Sequence, residues 1–288
     1  MTLSQLEQDY AYCEKVIKHS SKSFYTAFSK LPKDKAKAVY AIYAFCRLAD
    51  DTVDAQAPNA EKAEKLALLE EELQAFCEGV TLEKPMWRAL RDVFNRFEMD
   101  PAPFFDQIEG QKQDLAFQPI QTLQELEEYS YYVAGSVGLM LLPIIASRQE
   151  MTAELKQSAL SLGVAMQLTN ILRDVGEDYI ENKRVYLPQQ TLADYNVDLA
   201  EVMQTGPTPS FIKLWENIAS ESQRGYNQFC QYSHLYDKDC LFPVLVSAKL
   251  YNAILDAVRK NRYDCLRTRN FVPEYKIVKL LSDVKKSL

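Results

Sequence analysis

Apolar and polar residues are mixed along the chain in long windows that are rich in Ala, Leu, Glu, Lys and Gln. No clear run alternates with the period of two that a half-buried strand requires. Only 8 glycines interrupt these windows, and the abundant residue types favour helix. The pattern therefore predicts an all-α fold.

Clusters of Pro, Gly and small polar residues divide the chain into windows of helical length. Thr122 and Glu125 have the spacing of a capping box, which predicts that a helix begins there. No solenoid repeat and no linker-like break is evident, so a single domain is predicted over residues 1–288. The predicted helices are 4–19, 33–54, 60–78, 86–98, 103–114, 123–146, 153–178, 210–235, 240–265 and 274–286.

The charge and the length of the apolar runs exclude some classes of protein. A formal charge of −7 and a pI of about 5.1 argue against binding of nucleic acid, which requires a basic face. No apolar run is long enough to span a bilayer, and residues 1–19 lack the basic and then apolar start of a signal peptide. We therefore expect a cytoplasmic protein. Six cysteines are expected to be reduced and packed in the core: Cys13, Cys46, Cys77, Cys230, Cys240 and Cys265.

Two of the predicted helices carry a stripe of polar residues. Residues four apart on a helix lie on the same side, about 6 Å apart along the axis. One stripe consists of Gln167, Asn170, Asp174 and Asp178. The other consists of Tyr43, Arg47, Asp50 and Asp54. A lone Asp-x-x-x-Asp pair is usually a solvated helix face, but both stripes follow mostly apolar windows, which predicts that they are buried.

Buried carboxylates that lie close together repel one another and become protonated unless a cation holds them ionised. The oxygen-only donors favour a hard cation such as Mg²⁺, and the calcium-loop pattern is absent. Mg²⁺ in proteins commonly shares phosphate oxygens with a substrate. Arg47, Arg173, Arg184 and the hydroxyl-rich basic turn at 21–24 lie near the stripes. Each alone is typical of a protein surface, but together they indicate a diphosphate site.

The chain resembles the head-to-head prenyl synthases of the squalene and phytoene synthase family, and is most similar to its bacterial carotenoid-pathway members. The matching segments occur in the order found in the family and cover most of the chain. They are Ser21-Lys22-Ser23-Phe24, Tyr43-x-x-x-Arg47-x-x-Asp50-Asp51-x-x-Asp54, Tyr129-x-x-x-Val133-Ala134-Gly135-Ser136-Val137-Gly138, Gln167-x-x-Asn170-Ile-Leu-Arg173-Asp174-x-x-x-Asp178 and Arg184-Val-Tyr186-Leu-Pro188.

The resemblance implies an isoprenoid-synthase helical bundle around a central cavity, with the two stripes facing each other at its mouth. It also implies a carboxylate near Asp114. The Mg²⁺ ligands that it implies are Asp50, Asp54, Asn170, Asp174 and Asp178. The substrate-binding residues that it implies are Ser21, Lys22, Ser23, Phe24, Tyr43, Arg47, Gln167, Arg173, Arg184, Tyr186, Tyr251 and Arg269, with Arg267 as the alternative to Arg269. The rings of Phe24, Tyr43 or Tyr129 would stabilise a carbocation.

The reaction that the resemblance implies joins two molecules of farnesyl diphosphate head to head through a cyclopropyl diphosphate. The product is dehydrosqualene, which requires no NADPH. Tyr40 lies about 15 Å along the helix from Asp50, where a fifteen-carbon chain would end. The resemblance places Phe28 at the same depth, so both rings could close the tunnel, although ordinary core packing would explain them equally well.

Four alternatives remain open from the sequence. They are a phytoene synthase that uses geranylgeranyl diphosphate, an NADPH-dependent squalene synthase, a head-to-tail synthase or terpene cyclase, and a non-catalytic module that binds prenyl lipids. The acidic charge predicts at most a transient, salt-insensitive association with membranes. Product could then pass to a following carotenoid-pathway enzyme.

Overall fold

The computed structural model describes residues 4–288, except for the side chains of Lys22 and Ser23. These residues form helices and connecting segments without strands, as the sequence predicts. The α-helices of this part of the chain are α1 (Gln5–Ser20), α2 (Lys22–Phe28), α3 (Lys33–Asp54), α4 (Asn59–Cys77), α5 (Pro85–Arg96), α6 (Ala102–Leu115), α7 (Leu123–Ser130), α8 (Ser136–Ile145), α9 (Ala153–Arg173), α10 (Val175–Glu177), α11 (Gln189–Asp194), α12 (Leu199–Thr205), α13 (Pro209–Tyr232), α14 (Lys238–Lys260) and α15 (Glu274–Ser287).

Most predicted helix ends agree with the structure to within two residues, and the predicted start at Thr122 is confirmed. The Thr122 side chain accepts a hydrogen bond from the backbone N–H of Glu125 at 3.1 Å. The Glu125 carboxylate accepts from the N–H of Gln121 at 2.7 Å, one residue earlier than a capping box requires. A π-helical segment, Tyr131–Gly135, lies inside the predicted helix 123–146 and joins α7 to α8.

Several predicted bounds are wrong. The helix predicted over 153–178 ends at Arg173, because the backbone of Asp174 leaves helical geometry (φ −106°, ψ 17°). A second π-helical segment, Asp178–Asn182, follows α10. The helix predicted over 240–265 ends at Lys260, and three short helices, α2, α11 and α12, were not predicted.

After the break at Asp174, Gly176 packs against the segment that follows α14. The N–H of Gly176 donates a 3.0 Å hydrogen bond to the carbonyl oxygen of Cys265. A Cβ atom at this position would lie only 1.9 Å from the carbonyl oxygen of Leu266. Only glycine therefore permits the segment after α14 to approach the end of the second stripe.

Helix α9 packs against α13, α14, α8 and the first π-helical segment. Small residues allow part of this close packing. A Cβ on Gly163 would lie 2.4 Å from the carbonyl oxygen of Ala134, and one on Gly138 would lie 2.5 Å from that of Ala159. Larger side chains at these two glycines would push α9 away from its neighbours.

The cysteine prediction is partly wrong for burial. All six cysteines are free, and four of them are buried. Cys77 and Cys230 are exposed, because they lie on the solvent side near the ends of α4 and α13.

A buried ion-pair cluster joins α3 to the start of α14. The Lys35 ammonium donates to Asp237 Oδ2 at 2.7 Å, Asp239 Oδ1 at 3.1 Å and Cys240 Sγ at 3.2 Å. Ser147 donates to Asp237 Oδ2 at 2.9 Å. The two carboxylates and the thiol are close enough together to suggest a metal site. Lys35 already provides the positive charge among them, so we interpret the cluster as structural.

Among the described helices, only α14 has the length and composition of a membrane span. Half of its most apolar window is buried inside the protein, and Val244, Val246 and Leu255 belong to the core. A core helix passes the same test of composition, so this feature is weak evidence for a membrane span.

Candidate active site

The end of α3 places Asp50 against two amides of α6. Gln107 and Gln111 donate to Asp50 Oδ1 at 3.2 and 2.7 Å. Burial raises the pKa of Asp50 to about 7; Arg47 opposes this shift, and the carboxylates of Asp54 and Asp114 add to it. The residues around Asp50 therefore do not fully stabilise a negative charge on its carboxylate.

The second stripe continues across the break at Asp174. The N–H of Asp174 donates to the carbonyl oxygen of Asn170, and that of Asp178 donates to the carbonyl oxygen of Asp174, each at 2.9 Å. This spacing keeps the three residues in helical register. Burial raises the pKa of Asp178 to about 7, which a hydrogen bond from Asn182 opposes and the nearby Asp174 reinforces.

Two arginines converge on Asp174. Arg173 binds its carboxylate through both Nε and Nη2, at 2.7 and 2.5 Å. Arg269 Nη2 lies 3.5 Å from Asp174 Oδ2, while Arg269 Nη1 binds Glu177 at 3.0 Å. Arg267, the alternative in the alignment, instead contacts the carbonyl oxygen of Gln204 at 3.2 Å. Of these two arginines, Arg269 is thus the one beside the acidic stripe.

Asp114 lies close enough to both stripes to influence their carboxylates. Its negative charge raises the pKa values of both Asp50 and Asp178. The pKa of Asp114 is itself raised by burial and, to a smaller extent, by Asp54, while Arg184 opposes the shift. One carboxylate therefore interacts electrostatically with both acidic stripes, which indicates that the stripes belong to a common site.

Asp114 also accepts hydrogen bonds from three of the predicted site residues. The Tyr129 hydroxyl donates to its two carboxylate oxygens at 3.0 and 3.1 Å, and the Tyr186 hydroxyl donates to Oδ1 at 2.9 Å. Arg184 Nη2 donates to the backbone carbonyl of Asp114 at 2.8 Å. The rings of Tyr129 and Tyr186 stack with centroids 5.1 Å apart. Burial raises the pKa of Tyr129, so its hydroxyl stays protonated.

Asn170 supplies an unusual acceptor. Among the described residues, its buried Oδ1 has no hydrogen-bond partner, although its Nδ2 donates to Gln167 Oε1 at 3.4 Å. An unsatisfied buried acceptor is costly, which calls for a missing partner. Together with Asp50 and Asp178, whose pKa values are raised by burial, this oxygen fits a hard divalent cation.

Aromatic rings lead inward from the polar site. The Phe24 ring lies 6.2 Å from the Tyr43 ring, 5.7 Å from the Tyr251 ring and 5.4 Å from the Phe28 ring. Tyr251 is close enough to the site for the charges of Arg173 and Arg269 to oppose the rise in its pKa that burial causes. Helix α2 thus connects the arginine-lined end of the site to the apolar interior.

The two residues predicted to close the tunnel are both buried, Phe28 with 4% and Tyr40 with 5% of its surface exposed. Phe28 packs one turn below Phe24, whereas Tyr40 packs on Tyr25 with ring centroids 5.9 Å apart. Tyr40 and Asp50 share helix α3, so helical spacing places Tyr40 about 15 Å along the axis from that carboxylate.

The predicted turn at 21–24 is wrong in its local structure. Ser21 is the N-cap of α2, and its hydroxyl accepts a hydrogen bond from the N–H of Phe24 at 3.4 Å. The predicted side chains of Lys22 and Ser23 lie outside the described residues. Arg47, predicted to contact the diphosphate, forms an ion pair with Asp51 in the structure.

Sequence reasoning missed Gln107 and Gln111, the partners of Asp50. Their spacing of four on a helix that ends at Leu115 was the available signal. It was not informative by itself, because paired glutamines are common on solvated helix faces.

An all-α bundle with two neighbouring acidic stripes and adjacent arginines is typical of the class of isoprenoid synthases. Within that class, the chain belongs to the squalene/phytoene synthase family, whose model matches residues 17–276, and it is a prenyltransferase. Family substrates are prenyl diphosphates.

Three relatives illustrate the similarity. A 4,4'-diapophytoene synthase of Staphylococcus haemolyticus is 34% identical over 99% of this chain and 99% of its own length. A phytoene synthase of Arthrospira platensis is also 34% identical, over 93% of this chain and 89% of its own. The crystal structure of a dehydrosqualene synthase in complex with a ligand superposes with a TM-score of 0.91 and 43% identity, covering 98% of this chain and 97% of that one.

Proposed function

We propose that this prenyltransferase condenses two molecules of farnesyl diphosphate head to head and requires Mg²⁺. The product is dehydrosqualene (4,4'-diapophytoene), formed through a cyclopropyl (presqualene) diphosphate with release of pyrophosphate, as a step of carotenoid biosynthesis. The observation that carries the proposal is the similarity to a dehydrosqualene synthase, at 43% identity over 98% of the chain.

The metal assignment rests on the donors described above. The proposed ligands are Asp50 and Asp54 on one face and Asn170, Asp174 and Asp178 on the other. They include an orphaned amide oxygen and two carboxylates whose pKa values are raised by burial. When bound, Mg²⁺ would stabilise the negative charge that develops on the departing diphosphate.

The cationic side chains would hold the diphosphate groups. Arg173 and Arg269 already meet at the Asp174 carboxylate, which shows that both guanidinium groups reach one small region. Guanidinium groups bind phosphate oxygens with two parallel hydrogen bonds. Further proposed contacts are Ser21, Lys22, Ser23, Tyr43, Arg47, Gln167, Arg184, Tyr186 and Tyr251.

The allylic cation left after ionisation must be shielded from water. In this proposal the rings of Phe24, Tyr43 or Tyr129 face the cation, and each would stabilise a desolvated cation by up to about 2 kcal/mol. Asp114 holds the Tyr129 hydroxyl and so orients its ring. After the second ionisation, the rearranged cation loses a proton in this proposal, so no hydride donor is needed.

The length of the substrate distinguishes two candidate functions. A phytoene synthase using geranylgeranyl diphosphate remains the second candidate, because the curated relatives with C15-derived and C20-derived products have equal identity to this chain. The buried rings of Phe28 and Tyr40 favour the shorter substrate. Family membership supports an enzyme over the prenyl-lipid-binding module, and an NADPH-dependent squalene synthase has no better support.

One experiment separates these candidates. Purified protein is given farnesyl or geranylgeranyl diphosphate with Mg²⁺, with and without NADPH, and the hydrocarbon is identified by mass and absorbance. We expect a conjugated triene from the fifteen-carbon substrate, unchanged by NADPH. Squalene as the main product with NADPH, or equal turnover of the longer substrate, would contradict the assignment.

The remaining assignments stay proposals. Residues 1–288 would form one domain, and the protein would be cytoplasmic, with transfer of its product to a following carotenoid-pathway enzyme. Binding of nucleic acid is not expected from the acidic composition.

A further inference from the structure

The charge of the chain is unevenly distributed. Residues 259–288, here called the basic segment, contain nine Lys or Arg and three Asp or Glu. The remaining 258 residues contain 24 basic and 37 acidic side chains. Charges separated by more than about 8 Å are screened at physiological salt. The basic segment therefore differs in charge from the rest of the chain, which is acidic.

The basic segment also exposes large apolar side chains. Phe271, Tyr275 and Val278 expose 70%, 72% and 66% of their surfaces, the highest values among the described large hydrophobic residues. The opposite side of α15 packs on α14 through the fully buried Val284. Tyr275, Val278, Lys279, Lys285 and Lys286, together with Phe271 just before the helix, constitute what we call the outer face of α15.

The lysines of this face are available to a partner. Among the residues that the structure describes, Lys279, Lys285 and Lys286 have no carboxylate within the 4.0 Å that defines an ion pair. Lys276, on the inner side, is instead paired with Asp256 at 3.2 Å. The free lysines thus share one side of the helix with the exposed apolar residues.

The outer face adjoins the rim of the active site. Arg269, which contacts Asp174 and Glu177, precedes Phe271 by two residues. A surface that binds the outer face would therefore lie next to the acidic site.

We propose that the outer face of α15 binds the surface of an anionic lipid bilayer. The lysines interact with lipid phosphates, while Phe271, Tyr275 and Val278 enter the boundary between headgroups and acyl chains. The free lysines complement the charge of anionic headgroups, and the exposed apolar side chains beside them match the acyl region directly beneath those headgroups. Because these lysines would carry the interaction, we expect salt to weaken the association. The net charge of the whole chain had instead predicted a salt-insensitive association.

The first test measures cosedimentation of the full chain with vesicles of phosphatidylglycerol and phosphatidylcholine, without substrate or metal. The triple variant Lys279→Glu, Lys285→Glu and Lys286→Glu should lose at least about 100-fold in partitioning, because each lysine near an anionic surface contributes about 1 kcal/mol. The matched control is Lys15→Glu, Lys156→Glu and Lys213→Glu, which changes the net charge equally at exposed positions elsewhere. It should retain most of the binding.

A second test detects insertion. In the variant Tyr275→Trp, brominated lipids should quench the new indole fluorescence, whereas Leu68→Trp, at another exposed position, should not be quenched. Binding should fall sharply in about 1 M salt, where the Debye length is about 3 Å. Equal binding to pure phosphatidylcholine, unchanged binding of the triple variant, or self-association that removes Tyr275→Trp from the vesicles would overturn the proposal. Because no turnover is measured, these outcomes are independent of the proposed reaction.

Discussion

The floor of the proposed substrate tunnel gives a sharp prediction. Replacing Phe28 with Ala removes a ring of which only 4% is exposed, one turn below Phe24. We expect the variant to accept geranylgeranyl diphosphate and to make phytoene. Tyr40→Ala should have the same effect, because Tyr40 lies about 15 Å along α3 from Asp50.

The size of the change follows from the apolar surface that the longer chain would bury. Five additional carbons contribute about 0.8 kcal/mol each, or about 4 kcal/mol in total. In the wild type this gain is offset because overpacking a rigid site is itself unfavourable. Opening the floor should therefore raise the ratio of kcat/KM for the longer over the shorter substrate by up to about 1,000-fold.

The assay compares kcat/KM for both substrates in competition, with the hydrocarbons separated by mass. Removing a buried phenylalanine costs about 3–5 kcal/mol of stability, so each variant must first show a cooperative thermal transition. Phe76→Ala is the matched control, since Phe76 is equally buried but packs on Trp87 and Phe94. A wild type that already prefers the longer substrate, or a folded Phe28→Ala with unchanged preference, would refute the reasoning.

Three further predictions concern the metal site and the scaffold. Asp50→Asn and Asp174→Asn should each nearly abolish Mg²⁺-dependent pyrophosphate release, and substantial release by either variant would contradict the ligand assignment. Asp50→Asn should not lower the melting temperature, because it removes a like charge from a crowded site, whereas Asp174→Asn also removes the charge that pairs with Arg173. Lys35→Met should cost about 3–5 kcal/mol in the free energy of unfolding, measured by denaturant titration, because it leaves the carboxylate of Asp237 buried and unpaired. Although burial alone would raise the pKa of Asp237, hydrogen bonds from Lys35 and Ser147 hold it below its ordinary value. The difference between wild type and variant should therefore be complete well above pH 4 and shrink as Asp237 becomes protonated at lower pH; a difference independent of pH would argue against this cause. Gly176→Ala should cost about 1–3 kcal/mol and lower activity, because the methyl group would displace the Leu266 carbonyl and with it the segment that carries Arg269; an unchanged melting temperature and rate would contradict it.

The sequence predicted the fold class and most long helices because local composition and Pro/Gly breaks act over the length of one helix. It predicted a continuous helix through Asp174 because the spacing of Asn170, Asp174 and Asp178 is helical. The break depends on a tertiary contact, the approach of Leu266 to Gly176, which local patterns do not report. Asn170, Asp174 and Asp178 nevertheless keep their helical spacing across the break.

The hydrogen-bond partners within the site were harder to predict. The position of Asp114 close to both stripes, and its bonds to Tyr129 and Tyr186, join residues from three separate parts of the chain. Only the resemblance pointed to a carboxylate there. Likewise, α2 was missed because seven residues give too few helical repeats to distinguish a short helix from a turn.

The ion-pair cluster of Lys35 and Asp237 also has a kinetic consequence. The two residues are 202 positions apart in the chain, so their contact can form only after most of the polypeptide has been ordered. Such a contact is absent from an early folding nucleus. Its loss should accelerate unfolding and leave the refolding rate nearly unchanged. Lys35 would therefore determine mainly how long a folded molecule survives, rather than how quickly it is formed.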